Sequence, residues 1–241
     1  KNIFINFIGI GFQFIFYLFS NVNIYLCKFV SSKWLNYKPS IIQILPDLFT
    51  SNQLNSFKDL NIRKKNDHIH FLIMGRWLPY KSLKLLIGAL SMINKYELDN
   101  QILISIKGSS YPDSEISSLI KAASSKNIIV DYSDYYIPDL EVDSILLSCD
   151  YCLFLYSKAS QSGFMQRCKE LLVPVICTKV GGLEEYLKNG AIGHSVNPDF
   201  QSIKSLVTQI SNSYPYPYEY VGNVKQSQPF IDYLKANHLE N

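Results

Sequence analysis

This sequence has few charged residues and no block of basic ones. Its 23 Lys and Arg stand against 20 Asp and Glu, so the formal net charge of the 241 residues is only +3. Proteins that follow a phosphate backbone concentrate their cations on one face or in one run, whereas here they are spread along the chain. We therefore expect no nucleic-acid partner. The 47% apolar and 18% charged residues indicate an ordinary globular chain.

A disulfide framework is also missing. The five cysteines are an odd number without regular spacing, unlike the paired cysteines of small secreted domains. Cys149 and Cys152 form one C-x-x-C pair, but no second pair completes a zinc site. We interpret them as small apolar residues beside a strand start, and we expect a reducing, cytoplasmic location.

The first segment, residues 2–19, is almost entirely Ile, Phe, Leu and Gly, a length that would also fit a membrane span. Its polar residues recur at spacings of four and seven and therefore fall on one stripe of a helix; they are Asn2, Asn6, Gln13 and Ser20. This pattern favours a helix buried in protein. Contact with a bilayer surface, a true span and a strand pair are the alternatives. Because the chain opens with Lys, we expect residues 1–45 to be the end of a longer N-terminal domain.

Prolines and polar residues mark both boundaries of the central region. Pro39, Pro46 and the polar run 50–67 indicate an interdomain linker, assigned to residues 46–66. The alternating prolines of Tyr214-Pro-Tyr-Pro-Tyr218 forbid helix. We assign residues 214–241 to a tether and a last short helix at 230–238. Before the linker, a strand is predicted at 23–26 and a helix around 31–35.

Between residues 67 and 213, short β-branched or aromatic runs alternate with amphipathic stretches of helix length. The predicted strands are 68–74, 101–106, 128–130, 151–156, 174–178 and 193–196. A helix is predicted over 78–98, where apolar residues follow the helical repeat. Nearly continuous apolar strands separated by helices are typical of a parallel sheet covered on both faces. We therefore predict a doubly wound, Rossmann-like α/β domain.

Ligands of such sheets bind beyond the carboxyl ends of the strands, and the turn after the first strand carries two cations. Gly75 and Arg76 follow this strand, and Pro79-Tyr80-Lys81 opens the next helix. Both cations and the helix N–H groups could face a pyrophosphate. Solvated surface charges are the alternative interpretation. After the second strand, Gly108 permits either a close backbone approach or a simple bend.

Two later turns are rich in small residues, and the first of them also in hydroxyl residues. Residues 157–163 include Ser160, Gln161, Ser162 and Gly163. Their hydroxyl and N–H groups suit an anion or a sugar, although a serine here would equally serve as an N-cap. After the strand at 174–178, Gly181 and Gly182 allow close backbone approach and Glu185 follows at a helix start.

These pieces occur in a characteristic order: Gly75-Arg76-x-x-Pro79-Tyr80-Lys81, then Ala159-Ser160-Gln161-Ser162-Gly163, then the run from Pro174 to Glu185, and Gly193. In this order, over about residues 40–200, the sequence resembles the C-terminal domain of family 4 glycosyltransferases of the B fold. The resemblance implies a retaining hexosyltransferase that uses a nucleotide-diphosphate sugar as substrate, with no metal and no cofactor. A glycan or lipid-linked acceptor, bacterial surface polysaccharide synthesis and peripheral contact with the inner membrane face are further expectations.

The resemblance also implies a role for each residue. Arg76 and Lys81 would neutralise the diphosphate leaving group and are the candidate catalytic residues. The donor sugar nucleotide would be held by Gly75, Gly108, Ser160, Gln161, Ser162, Gly163, Gly181, Gly182 and Glu185.

One departure from the family pattern leaves other functions open. Most members carry two glutamates eight positions apart around the serine-rich loop, where this sequence has Ala159 and Arg167. Glu170 is a candidate substitute, although we expect it to be an exposed helix carboxylate. A non-catalytic nucleotide-sugar-binding module is therefore one alternative. A nucleotide-sugar epimerase of the same fold is another, but it would need a constellation of His and carboxylates that we do not find among His68, His70, His194 and His238.

Overall fold

The structure, a computed structural model, describes residues 23–25, 40–42, 68–94, 96–124 and 126–213. The predictions for residues 2–19, the helix around 31–35, the linker at 46–66 and residues 214–241 lie outside these ranges. Two short strands, β1 (Asn23–Tyr25) and β2 (Ser40–Ile42), pair in parallel, and β1 confirms the strand predicted there. Among the described residues, no helix combines the length and apolar character that crossing a membrane requires.

The larger compact unit contains a sheet of six parallel strands. They are β3 (His68–Met74), β4 (Gln101–Gly108), β5 (Ile128–Asp134), β6 (Tyr151–Phe154), β7 (Val175–Thr178) and β8 (Gly193–Val196), in the order β5-β4-β3-β6-β7-β8. The chain first adds strands on one side of β3 and then returns to build on the other side with β6. The predicted doubly wound parallel sheet is therefore confirmed, and its topological switch point lies between β3 and β6.

Five helices connect these strands, and a sixth follows β8. They are α1 (Lys84–Ser91), α2 (Asp113–Ala123), α3 (Asp139–Leu147), α4 (Gly163–Glu170), α5 (Leu183–Lys188) and α6 (Phe200–Asn212). The single helix predicted over 78–98 is wrong. A 3-10 turn at Pro79–Lys81 is followed by Ser82 with an extended backbone (ψ 144°), and the helix starts only after it. The apolar repeat marked the buried side of α1, but the turn before it is set by Pro79.

The core follows from the strand composition. All four residues of β6 and all four of β7 are buried, as expected for central strands covered on both faces. Cys149 and Cys152 are buried free thiols, which confirms their interpretation as small apolar residues. Because the sheet is rigid and packed on both sides, the turns at its carboxyl edge are held in fixed positions.

Candidate functional site

The turns that follow β3, β4, β6 and β7 touch one another at the carboxyl edge of the sheet. A Cβ atom added to Gly108 would lie 2.1 Å from the Gly75 carbonyl oxygen, and one added to Gly181 would lie 1.4 Å from the Ala159 carbonyl oxygen. Glycine is therefore required at both positions by the protein's own backbone. The Ser157 N–H donates to the Tyr80 carbonyl at 2.9 Å and joins the two pairs of turns into one rim.

Lys81 lies partly buried in this rim. Its Nζ is 5.5 Å from the centre of the Tyr156 ring and 5.8 Å from that of Tyr80, distances at which ring faces attract a cation. Burial lowers the pKa of Lys81, because the ammonium group has lost part of its hydration. Arg76, which follows Gly75 in the turn after β3, is exposed.

Within the described residues, neither Arg76 nor Lys81 forms an ion pair, in contrast to Lys107, Arg167 and Lys204, each of which contacts a carboxylate within 4 Å. A partly desolvated cation without a counter-ion is stabilised by any anion that approaches it. Arg76 and Lys81 therefore add positive charge to the rim that no carboxylate of the described residues pairs with.

The first turn of α4 lies next to Gly75, as does the ammonium group of Lys81. A Cβ at Gly75 would lie 3.4 Å from Cε2 of Phe164 and 3.9 Å from Nζ of Lys81. Arg76, which follows Gly75, and Gly163, which precedes Phe164, therefore belong to the same rim. A Cβ at Gly163 would meet no protein atom within 4 Å, so the start of α4 borders open space, and its N–H groups add partial positive charge there.

The serine-rich loop is partly engaged in holding itself together. Ser162 is the N-cap of α4, and its hydroxyl accepts a hydrogen bond from the Met165 N–H at 3.3 Å. Its own N–H donates to the Tyr186 hydroxyl at 3.1 Å. The N-cap interpretation is thus confirmed for Ser162. Ser160 is exposed, and the side-chain oxygen of Gln161 is buried without a hydrogen-bond partner in the described part of the chain.

We expect Tyr186→Phe to loosen this loop. Tyr186 is buried, and removing its hydroxyl leaves the Ser162 N–H without its acceptor, at a cost of about 1–3 kcal/mol in the free energy of unfolding. Urea unfolding measures this change. Tyr136→Phe, at a tyrosine that is 79% exposed, is the matched control. Equal unfolding midpoints for the two variants would contradict the role of the Tyr186 hydroxyl as the acceptor that holds the serine-rich loop.

The turn after β7 combines close packing with a helix start. Gly181 has a φ of +57°, a conformation that glycine adopts without strain. Gly182 is the buried N-cap residue of α5, and Glu184 and Glu185 occupy the first turn. Glu184 accepts a hydrogen bond from the Ser195 hydroxyl at 3.0 Å. Glu185, the predicted donor-binding residue, is half-buried beside it.

The positions that depart from the family pattern have structural roles. Arg167 donates two hydrogen bonds to Asp143, one of them at 3.0 Å, and so ties α4 to α3. The expectation that Glu170 is exposed is wrong, because it is only 2% exposed and accepts a hydrogen bond from Gln166 at 2.7 Å. Gln166 and Glu170 lie one helical turn apart and hydrogen-bond each other inside the protein. In the sequence, the same two polar residues suggest a helix face exposed to solvent.

The three described histidines, His68, His70 and His194, lie within β3 and β8 and not in the turns of the rim. His70, within β3, bonds the Ser105 hydroxyl at 2.8 Å and the Ser148 carbonyl at 3.0 Å. His194 lies against the Tyr151 ring at a centroid distance of 6.1 Å. No group of three His, Cys, Asp or Glu in these residues could hold a metal ion.

No family model matches this sequence, and no curated protein matches it. Solved structures do. The chain is similar to Alr3699/HepE of Anabaena, determined with UDP and glucose, at 15% identity and a TM-score of 0.55, over 79% of this chain and 53% of that one. It is also similar to sucrose-phosphate synthase of Thermosynechococcus elongatus (16% identity, TM-score 0.58, 80% and 50% covered). A third similar structure is the lipopolysaccharide outer core galactosyltransferase WaaB in its apo form (12% identity, TM-score 0.58, over 80% of this chain and 53% of that one).

At these identities the similarity shows the fold. The described domain is a Rossmann-like domain of the kind found in glycosyltransferases of the B fold. The chain spans about half the length of these three proteins.

Proposed function

We propose that this chain binds the donor in a glycosyltransferase that moves a sugar from a nucleotide-diphosphate sugar to a glycan or lipid-linked acceptor. One observation carries the proposal: Arg76 and partly buried Lys81, without an ion pair in the described residues, share a rim with the open start of α4. This arrangement suits a diphosphate. Similar structures contain such ligands, since HepE of Anabaena was determined with UDP and with UDP-glucose.

In this proposal, catalysis comes mainly from stabilisation of the leaving group. Breaking the bond between sugar and diphosphate leaves negative charge on the diphosphate, and fixed cations and helix N–H groups stabilise that charge without reorganising. Lys81 contributes strongly because it is already partly desolvated. The proposal includes retention of configuration, no metal or cofactor, hexosyl transfer, and a role in bacterial surface polysaccharide synthesis in the cytoplasm, at or near the inner membrane face.

A second candidate function is a nucleotide-sugar-binding module without catalysis. It is favoured by Ala159, by Arg167, which pairs with Asp143, and by Glu170, which is buried against Gln166. Ala159 and Arg167 carry no carboxylate, and the Glu170 carboxylate accepts a hydrogen bond from Gln166 inside the protein. Both candidates bind the donor, and release of free sugar or transfer to an acceptor by the full-length protein separates them.

Gly163→Ala tests whether the donor approaches the start of α4. Because a Cβ there meets no protein atom within 4 Å, we expect the free energy of unfolding to stay the same or rise by up to about 1 kcal/mol. Binding of UDP-glucose or GDP-mannose, measured by calorimetry, should weaken by about tenfold, since the methyl group occupies space needed by the phosphate or sugar. A stable variant with unchanged affinity would place the donor elsewhere.

A further inference from the structure

Glu115 binds both ends of the segment that carries the two cations. It lies in the first turn of α2. One carboxylate oxygen accepts from the Ser82 hydroxyl at 2.9 Å, and the other accepts from the Leu83 N–H at 2.8 Å and from the Trp77 indole N–H at 3.3 Å. Trp77 directly follows Arg76 and Ser82 directly follows Lys81, so each cation stands next to a residue that Glu115 holds.

This carboxylate also supplies what the segment lacks locally. The side chain of Leu83, the N-cap residue of α1, makes no capping hydrogen bond, and within the described ranges the local Ser82 hydroxyl accepts only from the Lys84 N–H, at 3.2 Å. The exposed Arg76 forms no ion pair in the described residues that would order its backbone. The contacts from Glu115 cross more than thirty residues of chain. They therefore fix the segment against the sheet edge in a way that its own sequence does not.

A negative charge so close to a proposed anion site needs compensation. Three hydrogen-bond donors surround the Glu115 carboxylate, and the N-terminus of α2 stabilises it further. Its charge is thus absorbed by the protein, while Arg76 and Lys81 remain available to an anion.

From this geometry we propose that Glu115 is a positioning residue for the diphosphate: it holds Arg76 and Lys81 where both reach the phosphates. The inference rests on the proposed function of the rim. In this proposal Glu115 does not contact the donor. It affects donor affinity only by positioning the two cations.

The chain contains a matched control for this residue. α2 begins Pro112-Asp113-Ser114-Glu115 and α3 begins Pro138-Asp139-Leu140-Glu141, so both glutamates occupy the same place in the first helical turn. Glu141 is exposed to solvent. Glu141→Ala therefore removes an equivalent helix-start carboxylate and the same charge, without touching the segment that carries the cations.

The experiment measures the Kd of UDP-glucose and of GDP-mannose by calorimetry on the full chain. We expect Glu115→Ala to weaken binding by about tenfold, Glu115→Gln to lose less because its amide oxygen still accepts part of the hydrogen bonds, and Glu141→Ala to bind like wild type. In an Arg76→Ala background, Glu115→Ala should cost clearly less than in wild type, because part of what Glu115 positions is already gone.

The outcomes separate this inference from the function on which it rests. If wild type binds neither sugar nucleotide, or Arg76→Ala binds as well as wild type, the proposed function and the inference both fail. If Arg76→Ala weakens binding while Glu115→Ala matches Glu141→Ala, or if the Glu115 and Arg76 effects simply add, the inference alone is overturned. Should Glu115→Ala not fold, Glu115→Gln and its cycle with Arg76→Ala decide in the same way.

Discussion

Lys81→Ala should weaken the binding of a nucleotide-diphosphate sugar by about 10- to 100-fold, and Arg76→Ala should do the same. Each substitution removes a cation that has no ion pair in the described residues at a rim where four turns and a helix start converge. Within this range, the loss of donor affinity should be larger for Lys81→Ala than for Arg76→Ala, because the partial burial of Lys81 leaves its charge less screened by water. Calorimetry with UDP-glucose and GDP-mannose measures both.

Lys84→Ala is the control for this experiment. Lys84 lies three residues after Lys81, at the start of α1, and is exposed, so the variant has the same net charge as Lys81→Ala. It should bind the donor with nearly wild-type affinity, and its small residual effect should disappear at high salt, as expected for distant screened charges. Unchanged affinity in both Lys81→Ala and Arg76→Ala would remove the diphosphate assignment.

Gly181→Ala should lower the free energy of unfolding by roughly 3 kcal/mol or more. Its Cβ would be built 1.4 Å from the carbonyl oxygen of Ala159, a contact between two backbones that no side-chain rotation relieves, and its φ of +57° adds strain. To relieve the clash, the turn after β7 must move away from the serine-rich loop. Denaturant unfolding measures the loss of stability, and donor binding should weaken with it.

Gly190→Ala separates the two causes. Gly190 also has a positive φ, +98°, but a Cβ there would meet only Cε of Lys169 at 3.9 Å. This variant should therefore show the backbone strain alone, about 1–2 kcal/mol. If Gly181→Ala were no less stable than Gly190→Ala, the close contact between the two turns would not be a structural requirement.

Much of the fold could be predicted because strands of this sheet are marked locally. Runs of β-branched and aromatic residues predicted all six strands of the main sheet, and their near-continuous apolar character predicted a parallel, doubly covered sheet. The wrong prediction of one helix over residues 78–98 arose because two local signals conflict. The apolar repeat favours a continuous helix, whereas Pro79 and the extended backbone of Ser82 interrupt it. Glu170 was misjudged because its buried partner, Gln166, looks equally polar in sequence.

Some residues of the candidate site could likewise be selected from the sequence, and others could not. Position after a strand was enough to select Gly75, Arg76, Gly108 and Gly181, since the carboxyl ends of parallel strands meet at one edge. Their roles in donor binding remain predictions that the variants above test. Sequence carried no signal for Glu115 or Tyr186, whose partners lie 24 to 38 residues away.

By itself, then, the sequence determined where the strands lie, that they run parallel and which turns follow them, because these properties depend on the composition and periodicity of short segments. Only the tertiary structure decided which glycines are required by a neighbouring backbone, which carboxylates are buried and which residues hold the turns that carry Arg76 and Lys81. Those properties depend on distances between atoms far apart in the chain, and such distances exist only once the sheet has brought the segments together.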